Sequence, residues 1–244
     1  MPSASPKVFL TAEWRNLAML NFEVEPTLLA PFVPAGTELD SWQGKTFLSV
    51  VAFLFLRTRV GGLPVPFHQN FEEVNLRFYV RRLGPDGWRR GVVFIKEFVP
   101  RLAIALIARR FYNENYVAVP MRHRLEQTNG ELTSVSYFWR SGQHENSLKL
   151  AVDGSPQPLA DGSLQEFITE HYWGYARQRD LSTMEYRVDH PRWKVWEAQR
   201  TEFNCPVADV YGEKFAPFLS APPASAFLAD GSEVKVYNGV KLPT

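Results

Sequence analysis

The sequence predicts an α+β fold dominated by an antiparallel sheet that curls into a barrel, with two or three flanking helices. Three observations support this prediction. The segment Asn70–Arg81 alternates apolar and polar side chains with the two-residue period of a strand. The turn Leu83-Gly84-Pro85-Asp86-Gly87 then returns the chain as a second strand, Gly91–Val99, so the two form a hairpin. Along the whole chain, about ten segments resemble strands, and no internal repeat or charge block interrupts them.

The strands are predicted from β-branched and aromatic residues that lie between turn residues. Glu13–Val24 is apolar on both faces and is therefore expected to be internal. Glycines and prolines between residues 58 and 69 predict a loop that could lie over the mouth of a pocket. In chain order the predicted strands are Glu13–Val24, Leu39–Gln43, Lys45–Arg57, Asn70–Arg81, Gly91–Val99, Tyr116–Met121, Glu131–Arg140, Ser147–Val152, Met184–Val188, Trp193–Glu202 and Val234–Tyr237.

The helices are predicted from their end signals and from helix-forming residues. Pro26 suits a first turn, and Pro34 ends the short helix that it begins. Arg101–Asn113 is rich in alanine, leucine and arginine, which are strong helix formers. Ser163 caps a third helix over Leu164–Arg179. In that helix the residues at helical spacing, read as core packing and not as a cofactor site, are Leu164, Phe167, Ile168, His171, Tyr172 and Tyr175.

Composition is that of an ordinary globular chain. With 244 residues, 45% of them hydrophobic, the chain can bury a substantial core in one large domain or two small ones. A net charge of +1 gives no field that would attract nucleic acid or an anionic membrane. The N-terminus lacks the apolar core of a signal peptide, and no apolar stretch is long enough to span a bilayer. The lone cysteine, Cys205, fits a reducing compartment, so a cytoplasmic location is expected.

Several chemistries lack their sequence signals. The glycines form neither a phosphate loop nor a dinucleotide fingerprint, so no nucleotide cofactor is expected. The histidines have neither the close spacing nor the cysteine partners of a metal site, so no metal is expected. A nucleophile elbow of the α/β-hydrolase type does not occur. Basic residues are not interleaved with aromatic ones in a pattern typical of nucleic-acid binding.

The polar face of Asn70–Arg81 is the candidate site. An acid, an amide, a guanidinium and a phenol follow one another about 6.6 Å apart and could line a concave site for a small polar ligand. A half-solvated strand would show the same alternation. The apolar face consists of Val74, Leu76, Phe78 and Val80, and the polar face of Glu73, Asn75, Arg77, Tyr79 and Arg81.

Alternation along Gly91–Val99 predicts that Lys96 shares a face with Val92, Phe94 and Phe98. An amine among apolar neighbours either extends to the rim or is desolvated and nucleophilic.

Several segments together resemble the YqjF-like family, an uncharacterised bacterial family whose fold is similar to that of acetoacetate decarboxylase. The resemblance covers most of the chain, and its strongest motif is the central Asn-Leu-Arg-Phe-Tyr-Val. It implies one acetoacetate decarboxylase-like domain over residues 1–244, a cone-shaped antiparallel β-barrel with flanking helices and a closed central pocket. The segments are Trp14–Val24, Leu28 with Val33-Pro34-Ala35-Gly36, Glu72–Val80, Gly91–Phe94, Ala108-Arg109-Arg110 with Tyr116, and Tyr186 with His190-Pro191-Arg192-Trp193.

The resemblance also bears on the site. Acetoacetate decarboxylase forms a Schiff base through a lysine in a pocket that also holds a glutamate and an arginine. Glu73 looks like the pocket glutamate, and Arg109, or else Arg110, looks like the arginine. The lysine does not carry over, because no lysine lies between Glu97 and Leu148. Without that amine the electron sink for decarboxylation is missing, unless Lys96 supplies it from another element.

The predicted function is an enclosed polar pocket for a small anionic or carbonyl-bearing molecule. Glu73 and Arg109 are the catalytic candidates: Glu73 accepts hydrogen bonds or transfers a proton, while Arg77 and Arg109 hold a carboxylate. Three hypotheses stay open, namely a lyase-like enzyme without a Schiff base, a non-catalytic binder or sensor, and a structural protein with internal ion pairs. The sequence fixes no oligomeric state, and a homo-oligomer remains open. The remaining candidates, which would orient the ligand, are Asn75, Tyr79, Arg110 and Tyr116.

Overall fold

A computed structural model describes residues 7–66, 68–100 and 116–243, and most of these residues lie in strands. In chain order the strands are β1 Val8–Val24, β2 Glu38–Leu39, β3 Thr46–Val60, β4 Leu63–Pro64, β5 Phe71–Gly84, β6 Gly87–Val99, β7 Tyr116–Ala118, β8 Met121–Thr128, β9 Glu131–Ser141, β10 His144–Ala151, β11 Gln157–Pro158, β12 Trp173–Arg177, β13 Thr183–Asp189, β14 Lys194–Glu197, β15 Arg200–Asn204, β16 Ser225–Tyr237 and β17 Val240–Lys241. The fold is α+β and mainly antiparallel, as predicted.

The helices in these ranges are short and flank the strands. They are α1 Pro26–Leu29, α2 Leu164–Thr169, α3 Val207–Tyr211 and α4 Ala216–Leu219, with 3₁₀ turns at Ala30–Phe32 and Glu213–Phe215. None of the helices in the described part of the chain has the length and apolar character needed to cross a membrane. The predicted helix Arg101–Asn113 lies outside the described residues.

Seven strands close into a ring in the order β16, β1, β3, β5, β6, β12 and β13, after which β13 pairs with β16 again. Two residue pairs close the ring: Val188 with Val236, and Asp189 with Lys235. Every pairing in the ring is antiparallel except that of β6 with β12. A sheet closed in this way has one face toward its interior and one toward its surroundings, because side chains alternate along each strand.

A second sheet, β15-β10-β9-β8, packs with the helices against the outer face of β5. Leu76 and Phe78 are fully buried there, in one cluster with Tyr137 of β9 and Phe215. The inner face of β5 is buried as well, since Glu73 is 3% and Asn75 1% exposed. A half-solvated strand is therefore the wrong interpretation of this alternation.

A β-bulge at Ile95 reverses the faces of β6. Arg77 pairs with Phe94 whereas Leu76 pairs with Lys96, so Ile95 is an extra residue. One extra residue turns every later side chain to the opposite face. The prediction that Lys96 shares a face with Phe94 is therefore wrong. Lys96 lies on the outer face of the ring, where its Nζ donates a hydrogen bond to the carbonyl of Val210 at 2.5 Å and where burial lowers its pKa.

The predicted helix over Leu164–Arg179 is correct only in its first part. Ser163 caps it as expected, since its hydroxyl accepts from the Glu166 amide at 3.1 Å, but the helix ends at Thr169. The chain then runs as strand β12, parallel to β6. A Cβ at Gly174 would lie 2.1 Å from the ring of Tyr186, its partner on β13, so glycine leaves room for that ring over β12.

Other predicted boundaries also needed correction. Trp193–Glu202 is two strands, β14 in the ring sheet and β15 in the second sheet, because the chain changes sheets between them. Tyr116–Met121 divides in the same way between β7 and β8. Val234–Tyr237 is only the end of the longer β16, and only Leu39 of the predicted Leu39–Gln43 is in strand β2.

Candidate functional site

A cavity lies inside the ring, with about 120 Å³ open to the centres of water-sized atoms. A single water needs roughly 10–15 Å³ by this measure, so the space accommodates several waters or a small organic molecule. Much of its wall is aromatic, including Trp14, Phe53, Phe55, Phe71, Phe94 and Trp193. Its polar side chains include Glu73, Asn75, Arg77, Tyr116, Thr169 and His171. An apolar cavity with a few convergent polar groups is typical of small-molecule sites.

Arg77 brings a positive charge to this cavity. Arg77 as a whole is only 9% exposed to solvent. Its Nη2 donates a long hydrogen bond of 3.4 Å to the carbonyl of Ile168, and its Nε has no hydrogen-bond partner. Among the described residues, no carboxylate oxygen lies within 4.0 Å of the guanidinium. Buried cations in proteins are ordinarily paired, so this arrangement favours an anion in the cavity.

Glu73 brings a carboxylate to the same cavity, and it lies four residues before Arg77 on the same face of β5. Its Oε1 accepts a hydrogen bond from Asn75 Nδ2 at 3.0 Å. The hydroxyl of Tyr116, on β7, lies 3.5 Å from its Oε2. All three residues are buried and line the cavity, so β5 and β7 together give it an acidic end.

Two further residues of the predicted polar face, Tyr79 and Arg81, are not part of the cavity wall. Tyr79 is buried beside the cavity without lining it, and its hydroxyl is 2.7 Å from Ser49 Oγ. Arg109 and Arg110 lie outside the described residues. Arg81, at the end of the polar face, pairs with Glu38 and has a side chain that is 42% exposed.

Asp40 and His171 form a buried pair next to Arg77 that sequence reasoning missed. Nε2 of His171 lies 3.5 Å from Oδ2 of Asp40, and Arg90 Nε donates to the same oxygen at 2.7 Å. Burial lowers the pKa of His171 to about 4, and the hydrogen bond to Asp40 opposes this only in part. Burial alone raises the pKa of Asp40, but the hydrogen bonds from His171 and Arg90 hold it below its usual value.

His171 lines the cavity because α2 ends at Thr169 and lets the chain turn into β12. The sequence held one signal for this turn. Trp173, Gly174, Tyr175 and Ala176 alternate large and small side chains with the two-residue period of a strand. Glu97 was also missed, and it is fully buried opposite Asn75 because the bulge at Ile95 turns it inward.

The cavity contains no lysine. Every lysine of the chain falls within the described ranges, and none of them is among the lining residues. Across residues 7–66, 68–100 and 116–243, no three histidine, cysteine or acidic side chains are grouped as a metal ion would need.

The chain matches a known family over most of its length. The family model of DUF2071, described as an uncharacterized conserved protein, matches residues 11–233. The uncharacterized protein YqjF of Bacillus subtilis (strain 168) is 26% identical over 206 residues, which are 82% of this chain and 80% of YqjF.

Solved structures with a similar fold are acetoacetate decarboxylase-like. An acetoacetate decarboxylase-like enzyme from Sphingomonas wittichii RW1 has a TM-score of 0.65 at 14% identity, covering 100% of this chain and 97% of that one. The acetoacetate decarboxylase of Legionella pneumophila has a TM-score of 0.64 at 12% identity, and the match covers 100% of this chain and 92% of that one. The enduracididine biosynthesis enzyme MppR, complexed with pyruvate, has a TM-score of 0.66 at 12% identity, and the match covers 98% of this chain and 92% of that one. At these identities the likeness concerns the fold alone.

Proposed function

The chain belongs to the DUF2071 family of uncharacterized conserved proteins, and we propose that it binds a small carboxylic acid non-covalently in the cavity of its ring. The observation that carries the proposal is Arg77, a buried guanidinium without an anionic partner among the described residues. A carboxylate fits the planar fork of a guanidinium and satisfies its unused donors. The aromatic wall would contact the apolar part of the same molecule.

The proposal specifies non-covalent binding because no lysine lines the cavity. A Schiff base needs an amine next to the ligand carbonyl, and Lys96, the predicted substitute, lies on the outer face of the ring. The fold neighbours lend support to the ligand class, since MppR has been solved with pyruvate, a small carboxylate.

A second candidate is a lyase-like enzyme that works without a Schiff base. It is favoured by Glu73, whose carboxylate is 3% exposed and faces the same cavity as Arg77. In this role Arg77 would hold the carboxylate of the substrate, and Glu73 would accept or return a proton, with Asn75 and Tyr116 fixing its position. Arg109 and Arg110 stay predictions as further ligands of the carboxylate.

Calorimetric titration with acetate, propanoate, butanoate and pyruvate tests the proposal. The carboxylates are expected to bind, and the neutral analogue propanamide is not. Arg77→Gln should weaken binding roughly 10- to 100-fold, because a hydrogen bond to a charged group contributes about 1.5–3 kcal/mol. The matched control is Arg81→Gln. Arg81 belongs to the same strand but pairs with Glu38 outside the cavity, so this variant should bind carboxylates as the wild type does.

Stability separates this proposal from a structural role of the arginine. Removing a buried cation that has no ion-pair partner should leave the melting temperature of Arg77→Gln unchanged or raise it. If Arg77→Gln unfolds, or if no carboxylate binds to the wild type, the cavity is not a carboxylate site.

A further inference from the structure

Asp40 determines which nitrogen of His171 carries the proton. A carboxylate that receives the Nε–H of Arg90 at 2.7 Å is ionised, and an ionised carboxylate only accepts hydrogen bonds. The ring nitrogen nearer to it is Nε2, at 3.5 Å, which is too long for a well-formed hydrogen bond, but the negative charge of the carboxylate favours the hydrogen on this nitrogen. A neutral imidazole has only one N–H, so Nδ1 of the same ring is left as an acceptor.

Neither ring nitrogen of His171 has a hydrogen-bond partner among the described residues, and Nδ1 is the one that does not face Asp40. The side chain of His171 is 2% exposed, and Nδ1 has no hydrogen-bond partner among the described residues. The ring packs between Tyr79, at 4.6 Å between centroids, and Phe167, at 5.3 Å, so it cannot turn without disturbing both. A buried acceptor without a donor costs free energy unless a bound molecule supplies the donor.

His171 and Arg77 line the same cavity. Arg77 also donates to the carbonyl of Ile168, three residues before His171, so the guanidinium and the imidazole are held by one short segment. A ligand held by its carboxylate at Arg77 would therefore present its neighbouring substituent to His171.

We propose, on the basis of the carboxylate site described above, that Nδ1 of His171 accepts a hydrogen bond from a hydroxyl group of the ligand, which makes a small hydroxy acid the preferred ligand over the corresponding oxo acid. An oxo group has no hydrogen to donate and would place one acceptor against another. Sites built to receive a hydroxyl discriminate strongly against analogues that lack the donor, because their buried polar group is left unpaired.

The test compares pairs of acids with the same carbon skeleton by calorimetric titration: lactate with pyruvate, and 3-hydroxybutanoate with 3-oxobutanoate. In at least one pair the hydroxy acid is expected to bind the wild type about tenfold more tightly. In His171→Phe, which keeps an aromatic ring between Tyr79 and Phe167, this preference should disappear while propanoate still binds. Asp40→Asn should move the preference toward the oxo acid, because an amide can donate to Nε2 and leave the proton on Nδ1.

The outcomes separate this inference from the proposed function. If propanoate binds and depends on Arg77, but the oxo acid binds as tightly as the hydroxy acid in both pairs, only the role of His171 is overturned. If His171→Phe binds propanoate and keeps the preference for the hydroxy acid, the donor is recognised elsewhere and the inference is again overturned. If no carboxylate binds, both proposals are overturned.

Discussion

Acidification is expected to destabilise the fold through His171. In the folded protein burial lowers the pKa of His171 from 6.5 to about 4, whereas the imidazole of the unfolded chain takes up a proton near 6.5. Between these values the unfolded state binds more protons, so the free energy of unfolding falls as the pH falls. The two values differ by about 2.5 units, and at about 1.4 kcal/mol per unit the full loss, complete only below pH 4, is about 3.5 kcal/mol.

The charged groups around His171 do not cancel this effect. The positive charges of Arg77 and Arg90 oppose protonation of the imidazole, and the negative charge of Asp40 offsets this opposition and the effect of burial only in part. Because the pKa of Asp40 is lowered, the stability that its carboxylate contributes is lost only below the ordinary aspartate pKa of 3.8. His190 also has a pKa lowered by burial, so it adds to the loss in the same direction, and the share of His171 must be measured by difference.

Urea denaturation followed by circular dichroism between pH 8 and pH 4.5 measures that difference. The wild type should lose up to about 3 kcal/mol more than His171→Phe over this range, because phenylalanine takes up no proton in either state. The control is His144→Phe, which replaces an imidazole that is 51% exposed and should leave the pH dependence of the wild type unchanged. If the stability curves of the wild type and His171→Phe run parallel, the imidazole is not buried as described.

Two further predictions concern the backbone and the reactivity of the chain. Gly231→Ala should lower the melting temperature far more than Gly44→Ala: both glycines have φ +79, but a Cβ at Gly231 would lie 2.0 Å from the Trp14 carbonyl oxygen, whereas nothing lies within 4 Å at Gly44. The expected cost is more than about 3 kcal/mol against about 1–2 kcal/mol, and equal losses would contradict the contact. Borohydride reduction in the presence of pyruvate should leave the intact mass of the protein unchanged, because Lys96 lies outside the cavity. Labelling of Lys96 that exceeds the labelling of exposed lysines such as Lys45 would be evidence for a Schiff base after all.

The parts of the fold that the sequence predicted well are those set by local periodicity. The alternation of Asn70–Arg81 lies within the observed strand except at its first residue, because one alternating run determines both a strand and its faces. The segment after Ser163 was misassigned because its apolar residues also fit helical spacing. Strand β12 exists because it pairs with β6, and that pairing joins residues about 80 positions apart, which no local pattern encodes.

The same distinction applies to the candidate site. Glu73, Asn75 and Arg77 could be named together because they belong to one strand. Asp40 and His171 could not, because their proximity depends on the closure of the ring and on where α2 ends.

The bulge at Ile95 decides which kind of cation reaches the cavity. If Ile95 instead paired regularly with Leu76, Lys96 would lie opposite Asn75 on the face of Phe94, and its amine would point into the ring. With the bulge, Lys96 turns outward to the carbonyl of Val210, and Glu97 takes the inward position opposite Asn75. Among the described residues, the guanidinium that lines the cavity is that of Arg77, which can hold a carboxylate through parallel hydrogen bonds but remains protonated and forms no imine. The bulge therefore keeps the amine of Lys96 out of the cavity, which favours the reversible binding proposed above over Schiff-base chemistry.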